Sequence, residues 1–124
     1  MKSISVLVIG AGETGAPLLT QLLDAPFVDV RGVADLDLTR PGIALARARG
    51  VAVSDDFEAL VKAGPDVDVI IDVTGVPAVR ERLRTLMQQG GNTHTVIVHE
   101  RVALLMMSLG AGQLVETRHA ESGY

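Results

Sequence analysis

A doubly wound α/β fold, with a parallel sheet covered by helices on both faces, is predicted by three features of this sequence. Apolar β-branched runs and helical-period stretches alternate along most of the chain, glycines stand at strand-to-helix turns, and the strongest runs lack the polar alternation of a half-exposed sheet. A chain of 124 residues has room for one such domain and not for two. Right-handed crossovers between alternating elements then give a three-layer α/β/α arrangement of about five strands in the order 3-2-1-4-5. A hydrophobic share of 48% demands a packed core rather than disorder, and that core is aliphatic because only Phe27, Phe57 and Tyr124 are aromatic.

The first strand is the run Ile4 to Ile9, stopped by Gly10. Ala16, Leu18, Leu19, Leu22 and Leu23 then recur at helical spacing, until Asp24, Ala25 and Pro26 end the helix. Val28 to Ala34 is the second strand, and Pro41 to Arg49 a helix whose early proline suits a first turn and which Gly50 closes. A short third strand, Val51 to Val53, precedes a helix from Asp55 to Lys62 capped by Ser54 or Asp55. Val67 to Val73 is the most β-branched stretch and the fourth strand. Pro77 to Gln89 is helical, Gly90, Gly91 and Asn92 turn the chain, and Thr95 to Val98 is the fifth strand.

A last helix runs from Arg101 to about Leu109, weakened by Gly110 and Gly112. Val102, Leu105, Met106 and Leu109 share one apolar face, with Leu104 and Met107 off it. A helix apolar around so much of its circumference is expected to be buried on more than one side, by a second copy in a homodimer or by a following domain. Residues 1–115 form the domain, and the polar stretch Glu116 to Tyr124 reads as a frayed or cut linker.

Eleven basic against 15 acidic residues give a net charge of −4, with no Lys or Arg stripe for a phosphate backbone, so nucleic acid is not an expected partner. The absence of cysteine excludes disulfides, thiolate metal sites and thiol nucleophiles, and suits a cytoplasmic protein. No apolar run approaches the length of a membrane span, so no membrane partner is expected.

Gly10-Ala11-Gly12-Glu13-Thr14-Gly15 fits GxGxxG and stands after the first buried strand at the start of a helix, which makes the match informative. Gly10 permits the tight turn, Gly12 leaves room for a diphosphate at the backbone, and Gly15 lets helix and strand pack closely, with Glu13 and Thr14 between them in the same turn. Free amides and the positive helix end face the anion. Twenty residues after Gly15, Asp35 ends the second strand, where a carboxylate can accept hydrogen bonds from adenosine ribose and repel a 2′-phosphate. This predicts NAD(H) over NADP(H), a preference that Arg40 at the same corner softens. Glu13 and Pro17 count against the site, the first by its charge and the second by removing an early helical hydrogen bond.

Thr74 and the Gly75 backbone follow the fourth strand at the crevice where strand order reverses, and are expected to line the nicotinamide or its ribose, while Asp72 caps a neighbouring loop. His94 and His99 are five apart across a strand and point to opposite faces, which argues against a metal site. His99-Glu100-Arg101 stands at the end of the fifth strand, near any bound nicotinamide. No catalytic residue is assigned.

These motifs resemble the nucleotide-binding half of proteins of the glucose-fructose oxidoreductase, dihydrodipicolinate reductase and homoserine dehydrogenase type, through 8–15, Gly32-Val33-Ala34-Asp35 and 68–75. The resemblance implies NAD(P) binding at Gly10, Gly12, Gly15, Asp35 and Thr74. It departs at the fifth strand, where the glucose-fructose oxidoreductase family has Glu-Lys-Pro with a lysine that assists hydride transfer and this chain has Glu100-Arg101-Val102. A closer likeness is to the nucleotide-binding domain at the amino terminus of some bacterial PAS and histidine-kinase sensor proteins, through 32–35, 41–47 with Gly50-Val51, and 72–77. That likeness implies Met1 as a native start and Tyr124 as an artificial end. The leading expectation is an NAD(H)-binding sensory domain without catalysis of its own, able to dock a following PAS or kinase domain. The alternatives are the cofactor-binding part of an NAD-dependent oxidoreductase lacking its substrate domain, and a module of this fold with no ligand.

Overall fold

The computed structural model describes residues 2–115. Its elements are β1 (Ile4–Ile9), α1 (Gly15–Asp24), β2 (Val28–Ala34), α2 (Pro41–Ala48), β3 (Val53–Ser54), α3 (Phe57–Ala63), β4 (Val69–Asp72), α4 (Pro77–Gly90), β5 (Val96–His99) and α5 (Glu100–Ala111). The five strands are all parallel in the order β3-β2-β1-β4-β5, as expected from the alternation of elements. The carboxyl ends of β1 and β4, where the chain leaves the sheet in opposite directions, form the crevice at which such sheets bind ligands.

Strand periodicity divides the interior in two. Val6 and Val8 of β1 point to the face covered by α1, α2 and α5, where they meet Leu18, Leu19, Ile43, Ala46 and Met107. Leu7 and Ile9 point to the opposite face, where α3 and α4 supply Val61, Val79, Leu83 and Leu86. β1 is buried on both faces because it is central, hence its nearly continuous apolar run. Each fully buried Leu or Ile contributes about 1.5–3 kcal/mol relative to exposure, so these side chains hold the crevice in place.

Three local expectations change. The cap of α3 is Asp56, whose Oδ1 accepts the Glu58 and Ala59 amides, while Ser54 Oγ accepts the Asp56 amide one turn earlier. β3 is shifted to Val53–Ser54, because only Val33 and Ala34 of β2 offer it a partner edge. The third concerns α5, whose sheet-facing side the pattern left open: Ala103 and Met107 (3% exposed) enter the core beside Val98 and Val115, while Leu105 is 57% exposed and Val102, Met106 and Leu109 stand out with it. The small Ala103 lets the helix approach the sheet, and one turn later Met107 fills the gap. The apolar face read from the sequence is thus the outer one.

Among the described residues no helix is long and apolar enough to cross a membrane. The expected linker from Glu116 onward lies outside them.

Candidate functional site

The glycine turn joins β1 to α1 at the crevice. Gly10 has φ 105°, a conformation that a β-carbon disfavours, and its amide donates to the Ala34 carbonyl at 2.8 Å. Gly15 is required by contact instead, since a β-carbon there would stand 2.0 Å from the Gly10 carbonyl oxygen. Gly12 is a different case. It has no positive φ, and a β-carbon on it would meet nothing nearer than the Arg40 side chain at 3.8 Å. The fold does not need glycine at this position, and the space beside it is open enough for an anion.

The amides around Gly12 support that reading. The Gly12, Glu13 and Gly15 N–H groups have no acceptor among the described residues, and all three lie at the amino end of α1. Unmatched amides at the positive end of a helix suit an anion with several oxygens. Glu13 is exposed, so its carboxylate has access to solvent. Thr14 is buried at the cap position of α1. Pro17 lies in the first turn of α1, where a missing N–H removes little.

At the end of β2, Asp35 stands where predicted but not as predicted. It is 0% exposed, its Oδ2 accepts the Ala11 amide at 2.8 Å and its Oδ1 the Asp37 amide at 2.9 Å. The Ala11 carbonyl in turn accepts the Gly42 amide at 2.7 Å, so Ala11 is gripped from both sides by β2 and α2. Asp35 therefore braces the turn, and its carboxylate is buried with each oxygen accepting a backbone amide. The exposed carboxylate at this corner is Asp37, whose Oδ1 accepts the Thr39 amide and hydroxyl, bonds that hold its carboxyl below the usual carboxylate range. Arg40 Nε lies 3.9 Å from Asp35 and 3.8 Å from Asp37, and the side chain reaches over Gly12. Sequence reasoning missed Asp37; the Asp-x-Asp spacing just past a strand end was the available signal.

A second cluster lies across the switch point. The β4–α4 turn touches the glycine turn, since the space beside Gly10 ends at Thr74. Thr74 is buried, its amide and hydroxyl donate to Asp72 Oδ1 at 2.9 and 2.6 Å, and its Oγ1 accepts the Val76 amide. Asp72 thus caps the turn that follows its own strand, and the Thr74 hydroxyl both donates and accepts within that turn. Gly75 is exposed and lines a cavity of about 790 Å³ with Asp72, Arg80, Val98, His99 and Arg101.

The remaining oxygen of Asp72 lies 3.0 Å from His99 Nδ1. This pairing follows from register, because Asp72 and His99 are directly opposite in the β4–β5 ladder. His94, two residues before β5, pairs with Asp68, which also accepts from the Ser5 amide and hydroxyl; these bonds hold the Asp68 carboxyl below its ordinary range. The two histidines are therefore separated along the strand, each with its own aspartate. Among the described residues no group of three His, Cys, Asp or Glu side chains is placed to hold a metal ion.

Comparison with known proteins agrees with this geometry. A family model described as homoserine dehydrogenase, NAD binding domain, matches residues 10–117. An acetaldehyde dehydrogenase of Roseiflexus sp. (strain RS-1) is 32% identical over 90 residues, covering 72% of this chain and 30% of the relative. The chain thus spans under a third of that protein's length. Two solved structures share the fold: scyllo-inositol dehydrogenase from Lactobacillus casei with bound NAD(H) and scyllo-inositol, at TM-score 0.61 and 14% identity over 90% of this chain and 35% of that one, and GenD2 from gentamicin A biosynthesis in complex with NAD, at TM-score 0.56 and 22% identity over 80% and 34%.

Proposed function

The chain belongs to the homoserine dehydrogenase NAD-binding domain family, and from that premise we propose that it binds NAD(H) at the glycine turn and serves as the cofactor-binding part of an NAD-dependent oxidoreductase. The observation that carries this is Gly12, open to its surroundings and flanked by three amides without acceptors among the described residues.

When bound, a nicotinamide dinucleotide supplies hydride exchange; the chain's residues supply placement. The Gly12, Glu13 and Gly15 amides hold the diphosphate, Asp35 keeps the turn in shape through Ala11, and Asp37 accepts from the adenosine ribose. Arg40, beside Asp37 and above Gly12, offers a charge that tolerates a 2′-phosphate, so discrimination against NADP(H) is modest. Gly75 presents its backbone to the nicotinamide end. The relatives are dehydrogenases, which favours this reading over a sensory one. One feature supports docking of a further domain, catalytic or sensory: the exposed face of Val102, Leu105, Met106 and Leu109 on α5.

Titration with NADH, followed by cofactor fluorescence in a chain free of tryptophan, tests the proposal. Saturable binding that Gly12→Val abolishes is the expected result. Absence of binding at millimolar NADH, or equal affinity in Gly12→Val, refutes it.

A further inference from the structure

The cavity beside β5 is lined by two acids, Asp72 and Glu100, a histidine and two arginines that the dinucleotide site does not use. We propose that His99, oriented by Asp72, is a proton-transfer residue for a small anionic hydroxy or oxo compound bound in this cavity, with Arg80 and Arg101 receiving its carboxylate. The inference rests on the dinucleotide reading above and extends it to the second reactant.

The geometry argues for each role. An ionised carboxylate can only accept, so the 3.0 Å contact makes His99 Nδ1 the donor and leaves Nε2 of the neutral ring as an acceptor. Asp72 is 3% exposed in its side chain and held by the Thr74 amide and hydroxyl as well, so the ring is aimed by a fixed group. His99 is a quarter exposed, lines the cavity, and its Nε2 has no partner among the described residues. A buried carboxylate behind an imidazole selects its tautomer and stabilises the imidazolium once a proton arrives. Arg80, Arg101 and the Glu100 carboxylate line the same cavity; the two arginines form no ion pair among the described residues and outnumber Glu100, which leaves guanidinium donors for an anion. Gly75, in the cavity lining, follows Thr74, whose methyl and amide stand 3.5 Å from where a β-carbon on Gly10 would lie.

The step balances. The substrate O–H bond breaks with its proton passing to His99 Nε2, the C–H bond on the same carbon breaks with both electrons passing as hydride to an oxidised nicotinamide dinucleotide, and the C–O bond becomes C=O. The alcohol is oxidised by two electrons and the dinucleotide reduced. In the reverse direction protonated His99 returns the proton to the carbonyl oxygen.

The test uses oxamate, a carbonyl carboxylate that is not reduced, added to the whole chain saturated with NADH, with binding read by calorimetry and the His99 ring nitrogens by NMR. Oxamate should bind only the NADH-loaded protein and shift the Nε2 resonance. His99→Gln and Arg101→Gln should each weaken oxamate by about tenfold, the usual cost of a lost charge-assisted hydrogen bond, and leave NADH affinity within about twofold. Asp72→Asn should mix the two ring tautomers, which a purely structural carboxylate would not do. Normal NADH binding with no oxamate uptake at tens of millimolar overturns the proposal, as does wild-type oxamate affinity in His99→Gln. Failure at the NADH step removes the dinucleotide reading, and this inference with it.

Discussion

The two sides of the switch point are built on different principles. On the β1–α1 side, backbone makes the site: a turn braced by Asp35 and Gly42 through Ala11 exposes amides, and the nearest side chain to Gly12 belongs to Arg40. On the β4–β5 side, side chains make it: Asp72 and His99 face one another across the ladder, and a 790 Å³ cavity opens beside them. Backbone amides recognise a diphosphate of fixed geometry, whereas side chains can be varied to suit a particular reactant. The first side therefore reads as general and the second as specific to this chain.

That contrast breaks most sharply at the glycines. Gly15→Ala forces a β-carbon onto the Gly10 carbonyl and should cost about 3 kcal/mol or more in urea unfolding, while Gly12→Ala should change stability by under about 1 kcal/mol. If the two cost the same, Gly12 has a structural duty and the open turn is misread. The acids come next. Asp35→Ala strands the Ala11 and Asp37 amides, each at a cost of about 1–3 kcal/mol, whereas Asp37→Ala should leave stability nearly unchanged and weaken NADH by about tenfold. The reverse pattern would return the ribose role to Asp35.

On α5, Met107→Glu buries a charge in the core and should destabilise by about 3 kcal/mol or more, against under about 0.5 kcal/mol for Leu105→Glu. Loss of a dimer in Leu105→Glu by sedimentation would identify the outer face as an interface. The smallest effect is in acid. Asp37, Glu58, Asp66 and Asp68 all titrate below their ordinary range because hydrogen bonds favour their charged forms. A lowered folded-state pKa gives stability that is present above the unfolded value and lost as pH falls through the folded one. The midpoint of thermal unfolding should therefore be level near neutrality and fall below about pH 4. Asp68→Asn should flatten part of that fall.

Alternation of elements, strand order and the glycine turn were all legible from the residues, since each depends on local periodicity or turn chemistry. The rest depends on where one segment meets another. Asp35 and Asp37 are equivalent by composition, and only the packing of α2 against Ala11 turns the first inward and leaves the second exposed. Four large apolar residues share one face of α5, but it is Ala103, on the opposite side, that lets the helix approach the sheet.

That this chain is a doubly wound sheet with a glycine turn after its first strand follows from its residues alone, because hydrophobic period and backbone permissiveness act within a few neighbouring residues. It took the packed molecule to set which acid is buried and which exposed, which side of α5 remains outside, and that His99 meets Asp72 twenty-seven positions away. Those outcomes depend on the register between strands and the depth to which each helix packs, quantities that no short stretch of sequence contains.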